Sequence, residues 1–218
     1  MSSKPQESKE KKTADFEAVK KAFHDEMEKA QREIDTASAE IKKLRAELKT
    51  QGAEARAKTS ARVEELNKKV DETRAEQQKI MEAHLKELHK EIDFRNAELK
   101  HVTAQEKAAV EAQAKTLREE YDFARNALTA SLDAELGEWK TRIDSALEAA
   151  DEKKVAAKAA VQAKLEDLRA KQEAAQKELH NLKQASATAF GEVHQGVRKA
   201  IGQVKTAVQH ARSDIAAA

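Results

Sequence analysis

Cysteine is absent from the 218 residues, which removes disulfides and thiolate metal ligands and leaves the redox compartment open. Proline occurs once, at Pro5, and glycine only five times, so little interrupts a regular backbone. Aromatic residues make up 3% of the chain, too few to fill the core of a thick globule. Neither sign of charge predominates, since 41 basic and 40 acidic residues leave a formal net charge of +1. Balanced, interspersed charge provides no field to gather nucleic acid, whose affinity comes mainly from phosphate neutralisation, so no nucleic-acid partner is expected. No run approaches the roughly 18 apolar residues of a membrane span. The opening MSSKPQESKEKK lacks the apolar stretch of a secretory signal. Together these absences predict a cytoplasmic address.

What the chain does contain is charge, alanine and a thin, even supply of large apolar residues, the composition of a coiled coil or long helix. Residues 1–12 are polar, carry Pro5, and read as a disordered tail. From Asp15 a helical period sets in. Phe16, Phe23, Met27, Ala30, Ile34, Ala37, Ile41, Leu44 and Leu48 recur in steps of mostly three and four. Met27, Ile34, Ile41 and Leu48 are heptad partners, and Ala30, Ala37 and Leu44 complete the two rows of a helix-association seam.

The seam then lapses in a weak stretch at 49–62. Gly52 in that stretch reads as a helix C-terminal signal, although an unbroken helix also fits. The stripe resumes at Val63, Leu66 and Val70, slips phase through Gln77, and continues through Met81, Leu85, Leu88, Ile92 and Leu99. A second weak stretch covers 103–116, where Thr103 with Glu106 has the spacing of a capping box. Leu117, Tyr121, Leu128, Leu132, Leu136, Trp139, Ile143 and Leu147 form the densest stripe, with Trp139 at its centre and Gly137 placed for close approach of a partner helix. Phe94 and Phe123 fall on the opposite face. A third weak stretch, 148–160, precedes Val161, Leu165, Leu168, Leu179 and Leu182. Acid-before-base pairs four apart, such as Glu28 with Arg32 and Asp167 with Lys171, suit exposed helix faces.

Residues 184–218 differ. Acids thin out, and Gly191, Gly196 and Gly202 enter among valines, a combination poor in helix propensity. The pattern is nonetheless regular: Phe190, Val193, Val197, Ile201, Val204, Val208 and Ile215 follow an 11-residue repeat and share one narrow face, flanked by Arg198, Lys205 and Arg212. A weak but amphipathic helix folds when that face finds a surface, either another helix or a lipid headgroup layer.

The 11-residue repeat, the Ala/Lys/Glu-rich composition and the lack of cysteine resemble the exchangeable apolipoproteins. For 190–215 they also resemble the lipid-binding repeats of synucleins, and late-embryogenesis-abundant proteins use similar repeats. The resemblance lies in periodicity and composition; the proline punctuation of apolipoprotein helices is absent after Pro5. It implies reversible binding to a membrane or other lipid surface through 190–215, whereas the narrowness of the stripe favours a helix as partner.

Reactive chemistry needs groups converging from separate elements. His101 with Glu98 is a single Glu-x-x-His pair where a di-iron bundle needs two, so His101 reads as a surface residue. His84 and His89, five apart, do not share a chelating face. Neither a phosphate-binding glycine loop nor a nucleophile elbow occurs. No catalytic residue, metal site, cofactor or small-molecule substrate is expected.

The sequence thus predicts an all-α chain of long amphipathic helices, forming a coiled coil or antiparallel hairpins in an elongated bundle. Its first expected role is a non-catalytic structural scaffold that self-associates into oligomers or docks partner helices. The helix-association residues are Met27, Ile34, Ile41, Leu48, Leu85, Leu88, Ile92, Leu128, Leu132, Leu136, Trp139 and Ile143. The alternatives are a peripheral protein on a membrane or granule surface, using the 190–215 face, and a stress-protective chain that orders on drying or binding.

Overall fold

The computed structural model describes the backbone of residues 4–152 and 159–217, with side chains described at 17–52, 54–148, 150–151 and 161–215. The described backbone is all-α, with five helices: α1 (Lys4–Leu48), α2 (Ala53–Glu98), α3 (Ala104–Glu152), α4 (Ala159–Gln184) and α5 (Phe190–Ala217). Two compact units result, Met1–Arg125 and Asn126–Ala218, and their boundary falls inside α3.

Each described break has a local cause. At the end of α1, Lys49 N–H donates to the Ala46 carbonyl and Thr50 N–H to that of Glu47, so the last turn tightens to i,i+3 bonding. The Thr50 hydroxyl caps the Glu47 carbonyl as well, at 3.0 Å. The break expected at Gly52 is present, since α1 ends at Leu48, but the glycine does not itself cap α1. It is the extended N-cap of α2, with φ −70° and ψ 168°, and its carbonyl accepts from Arg56 N–H. The turn therefore depends on a cap position where glycine is merely acceptable.

α2 ends with the same tightening, through Lys100 N–H to Ala97 and His101 N–H to Glu98. Thr103 then opens α3: the Glu106 carboxylate accepts from the Thr103 backbone N–H at 3.3 Å and from its hydroxyl at 3.0 Å. The break between Glu152 and Ala159 lies outside the described residues, and so does the part of the 148–160 weak stretch around it. Before α5, the Ser186 hydroxyl accepts from Ala189 N–H and its carbonyl from Phe190 N–H, the bonding of an N-cap residue. Of the polar segment 1–12, the described backbone from Lys4 onward belongs to α1. α1 begins at Lys4, which puts Pro5 in the first turn, where its missing N–H costs nothing.

In the first unit, α1 and α2 run antiparallel: Glu40 pairs with Arg62 at 3.2 Å, while Phe23, earlier in α1, stacks on His84, later in α2. Between these points Ile34, Ala37, Ile41, Val63, Leu66 and Val70 form a buried seam edged by Leu44. α3 lies against both helices, antiparallel to α2, since Asn96 bonds Arg118 while His84 faces Glu120.

In the second unit, Asp133 of α3 pairs with Lys183 of α4 at 2.8 Å. α4 and α5 are antiparallel, Lys164 pairing with Asp214 and Glu178 approaching Gly196. Leu168, Leu182, Val197 and Val204 have no measurable exposure, so this hairpin is closed by aliphatic packing. Among the described residues, no other helix of the chain comes close to Gly137, where a methyl group would meet nothing within 4 Å.

Candidate functional site: a buried carboxylate shared by three helices

The apolar stripes account for the fold, but buried polar side chains interrupt them, and some of these converge on one carboxylate. Glu120 sits on the inner face of α3, three residues beyond Leu117 and four before Ala124, both buried. Its side chain is only 5% exposed and is met from two other helices. From α1, Lys20 Nζ approaches Oε2 at 2.8 Å, and His24 Nε2 donates to Oε1 at 3.0 Å. Lys20 and His24 are four apart, so one helix face delivers both. From α2, His84 Nε2 reaches within 3.5 Å of the same Oε1. At that separation the carboxylate is an electrostatic neighbour of His84, and Nε2 goes without a hydrogen bond although the residue is 7% exposed.

Aromatic rings enclose the cluster. Phe23 stacks on His84, with centroids 4.0 Å apart and planes 20° from parallel, and meets His24 edge-on at 5.5 Å. Phe123 flanks His24 at 5.0 Å. Phe94 and Phe123 are exposed, as their phase predicts.

The electrostatics follow from this packing. Burial holds the His84 imidazole below its ordinary value, against the pull of Glu120 in the opposite direction. Burial pushes the Glu120 carboxyl up, but the Lys20 hydrogen bond and charge, with His24 beside them, outweigh it and hold the group low. The hydrogen bond to Glu120 raises the Lys20 ammonium in turn, against desolvation. At neutral pH the arrangement is an ionised carboxylate, a charged lysine and a neutral His84.

The sequence does not single out Glu120 or Lys20, and His84 draws notice only as a metal ligand with His89. The available signal was phase: Glu120 falls in register with Leu117 and Ala124, and His84 with Met81 and Leu88. In a chain that is 37% charged, a polar residue in apolar register does not stand out. Gln77, the residue at the phase slip, is likewise buried, and its Oε1 lacks a hydrogen-bond partner. His101 is exposed, and half-buried His89 faces Asp93 rather than His84.

The predicted association residues lie on covered faces. Ile34, Ile41, Leu85, Leu88, Ile92, Leu128, Leu132, Leu136, Trp139 and Ile143 are buried, while Met27 and Leu48 are half-buried. The Arg142 guanidinium lies 4.1 Å over the Trp139 ring. Of the α5 face, Phe190, Val197, Ile201, Val204, Val208 and Ile215 are buried and Val193 is half-buried; on its flank Arg198 is half-buried, with Lys205 and Arg212 exposed.

Among the described residues, no helix is long and apolar enough to cross a membrane, and no three His, Asp or Glu side chains are arranged to hold a metal ion. Comparison of the chain with protein-family models, curated proteins and solved structures found no match.

Proposed function

We propose that this chain is a non-catalytic structural protein that acts through helix–helix association. The observation that supports this reading is that, among the described residues, each of α1 through α5 has a largely apolar face buried within the chain. Such helices present outward a dense, mixed-charge surface carrying only scattered large apolar groups, Val19, Phe94 and Phe123 among them. Association with partner helices or with further copies then proceeds by exchange of equivalent amphipathic faces, or by docking on the outer surfaces.

Sedimentation velocity combined with circular dichroism tests the proposal. A cooperative melt of a helical species in plain buffer, with a defined sedimentation coefficient, is expected. A chain of low helicity that folds only on added vesicles would overturn it.

A second reading retains one specific support. α5 has three glycines, Gly191 in its first turn and Gly196 and Gly202 in its interior, and exposed Lys205 and Arg212 beside its apolar face. Intrinsic weakness and a basic flank suit release of α5 from α4 onto an anionic lipid surface. In that case vesicles of phosphatidylserine should lower α5 protection from hydrogen exchange against α4, and deletion of 190–215 should abolish vesicle binding.

A further inference from the structure

We propose that Glu120 is an acid-sensitive latch that fastens α1 to the α2–α3 pair and releases it when the cluster gains a proton. The inference does not depend on the proposed function. It rests on convergence: one buried carboxylate is the common partner of Lys20 and His24 from α1 and faces His84 from α2. At this level of the unit, α1 is tied to α3 through polar contacts, flanked by Phe23 on His84. Toward the other end of α1, the Ile34–Ile41 seam contacts α2 through aliphatic groups that do not titrate. Releasing the latch therefore frees the Lys20–His24 region first.

His84 is the trigger. It is buried, its Nε2 makes no hydrogen bond, and it stacks on Phe23, so accepting a proton charges a group enclosed by an aromatic ring and helix walls. The groups facing it and Glu120 are Lys20 and His24 from α1, with Glu17 on α1 and Glu119 on α3 acting at longer range on Lys20. A proton on His84 adds a third cation-forming group around one carboxylate that Lys20 already neutralises. Burial holds the folded-state affinity of His84 for a proton below the ordinary value of 6.5. Its contribution to stability is therefore complete above that pH and is lost as pH falls through the lower folded-state value.

Hydrogen–deuterium exchange on the full chain, corrected for intrinsic exchange rates, tests the latch. In wild type, protection across residues 17–30 should fall from pH 6.5 to 5.5, approaching tenfold for one proton taken up. His84→Phe keeps a flat ring against Phe23 but takes up no proton, and should flatten that dependence to twofold or less. Glu120→Gln should lower protection of the same residues at pH 7.5 by at least fivefold. Protection in wild type that does not change with pH, or an unchanged slope in H84F, would overturn the latch. So would wild-type protection in E120Q. Should E120Q fail to fold, wild type against H84F decides the matter alone.

Discussion

The α4–α5 hairpin and the meeting of α1, α2 and α3 at Glu120 solve the same problem by different chemistry. In the hairpin, Leu168, Leu182, Val197, Val204 and Val208 are withdrawn almost wholly from water, and the exposed pair Lys164–Asp214 adds little. At the α1–α2–α3 meeting, four polar groups and two phenylalanines occupy the place of a further apolar layer. Aliphatic packing gives strength with little directional preference. A buried carboxylate gives less net stability but fixes which side chains face it, because each misplaced partner leaves an uncompensated polar group.

Substitutions can break this contrast. The largest effect is expected from Leu168→Ala, which removes a fully buried side chain and should cost about 2–5 kcal/mol in denaturant unfolding. Glu120→Ala should cost about 1–3 kcal/mol, less than the aliphatic deletion, because Lys20 at 29% exposure and His24 at 37% can turn to solvent. A larger loss in E120A than in L168A would reverse the comparison.

Acid sharpens it. His84 and Glu120 both lie below their ordinary values of 6.5 and 4.5, so each stabilises the fold above that value and ceases to do so as pH falls through its folded-state value. Melting temperature should therefore decline on acidification below about pH 6.5, and H84F should delay the onset to the carboxylate range. Smaller effects are expected at glycines with open space. Gly137→Ala and Gly202→Ala should each stabilise by about 1 kcal/mol, since neither added methyl meets a neighbour. Gly52→Asp, at the N-cap of α2, should add a few tenths of a kcal/mol. Gains confined to one of the two units would show that the units unfold separately.

Much of the fold was legible because period and capping are local. The stripes from Ile34 to Ile41 and from Leu128 to Ile143 mark buried faces through spacing alone, and Thr103 with Glu106 marks the start of α3. The break at Ser186 was marked by a change in composition at Gln184 rather than by glycine or proline. The break marked by Gly52 is present between Leu48 and Ala53, but a glycine between two helices fits the end of one and the start of the next, and only its dihedral angles show that it opens α2. The Glu120 cluster was not legible for a different reason. The partners Lys20, His24 and His84 lie 100, 96 and 36 residues before Glu120 along the chain, and nothing local distinguishes Glu120 from the many solvated glutamates. Which helix covers which stripe is likewise a property of the pairing, not of any one segment.

The central claim is that the chain covers its own apolar faces, and Trp139 reports on it directly. It is the only tryptophan, 3% exposed, and lies in the densest stripe. Its emission maximum and acrylamide quenching should be measured on dilute protein shown by sedimentation to be monomeric, without lipid. A blue-shifted emission that resists quenching, unchanged on dilution, is the predicted result. A solvent-exposed indole in the monomer, shielded only on assembly or on vesicles, would contradict the account.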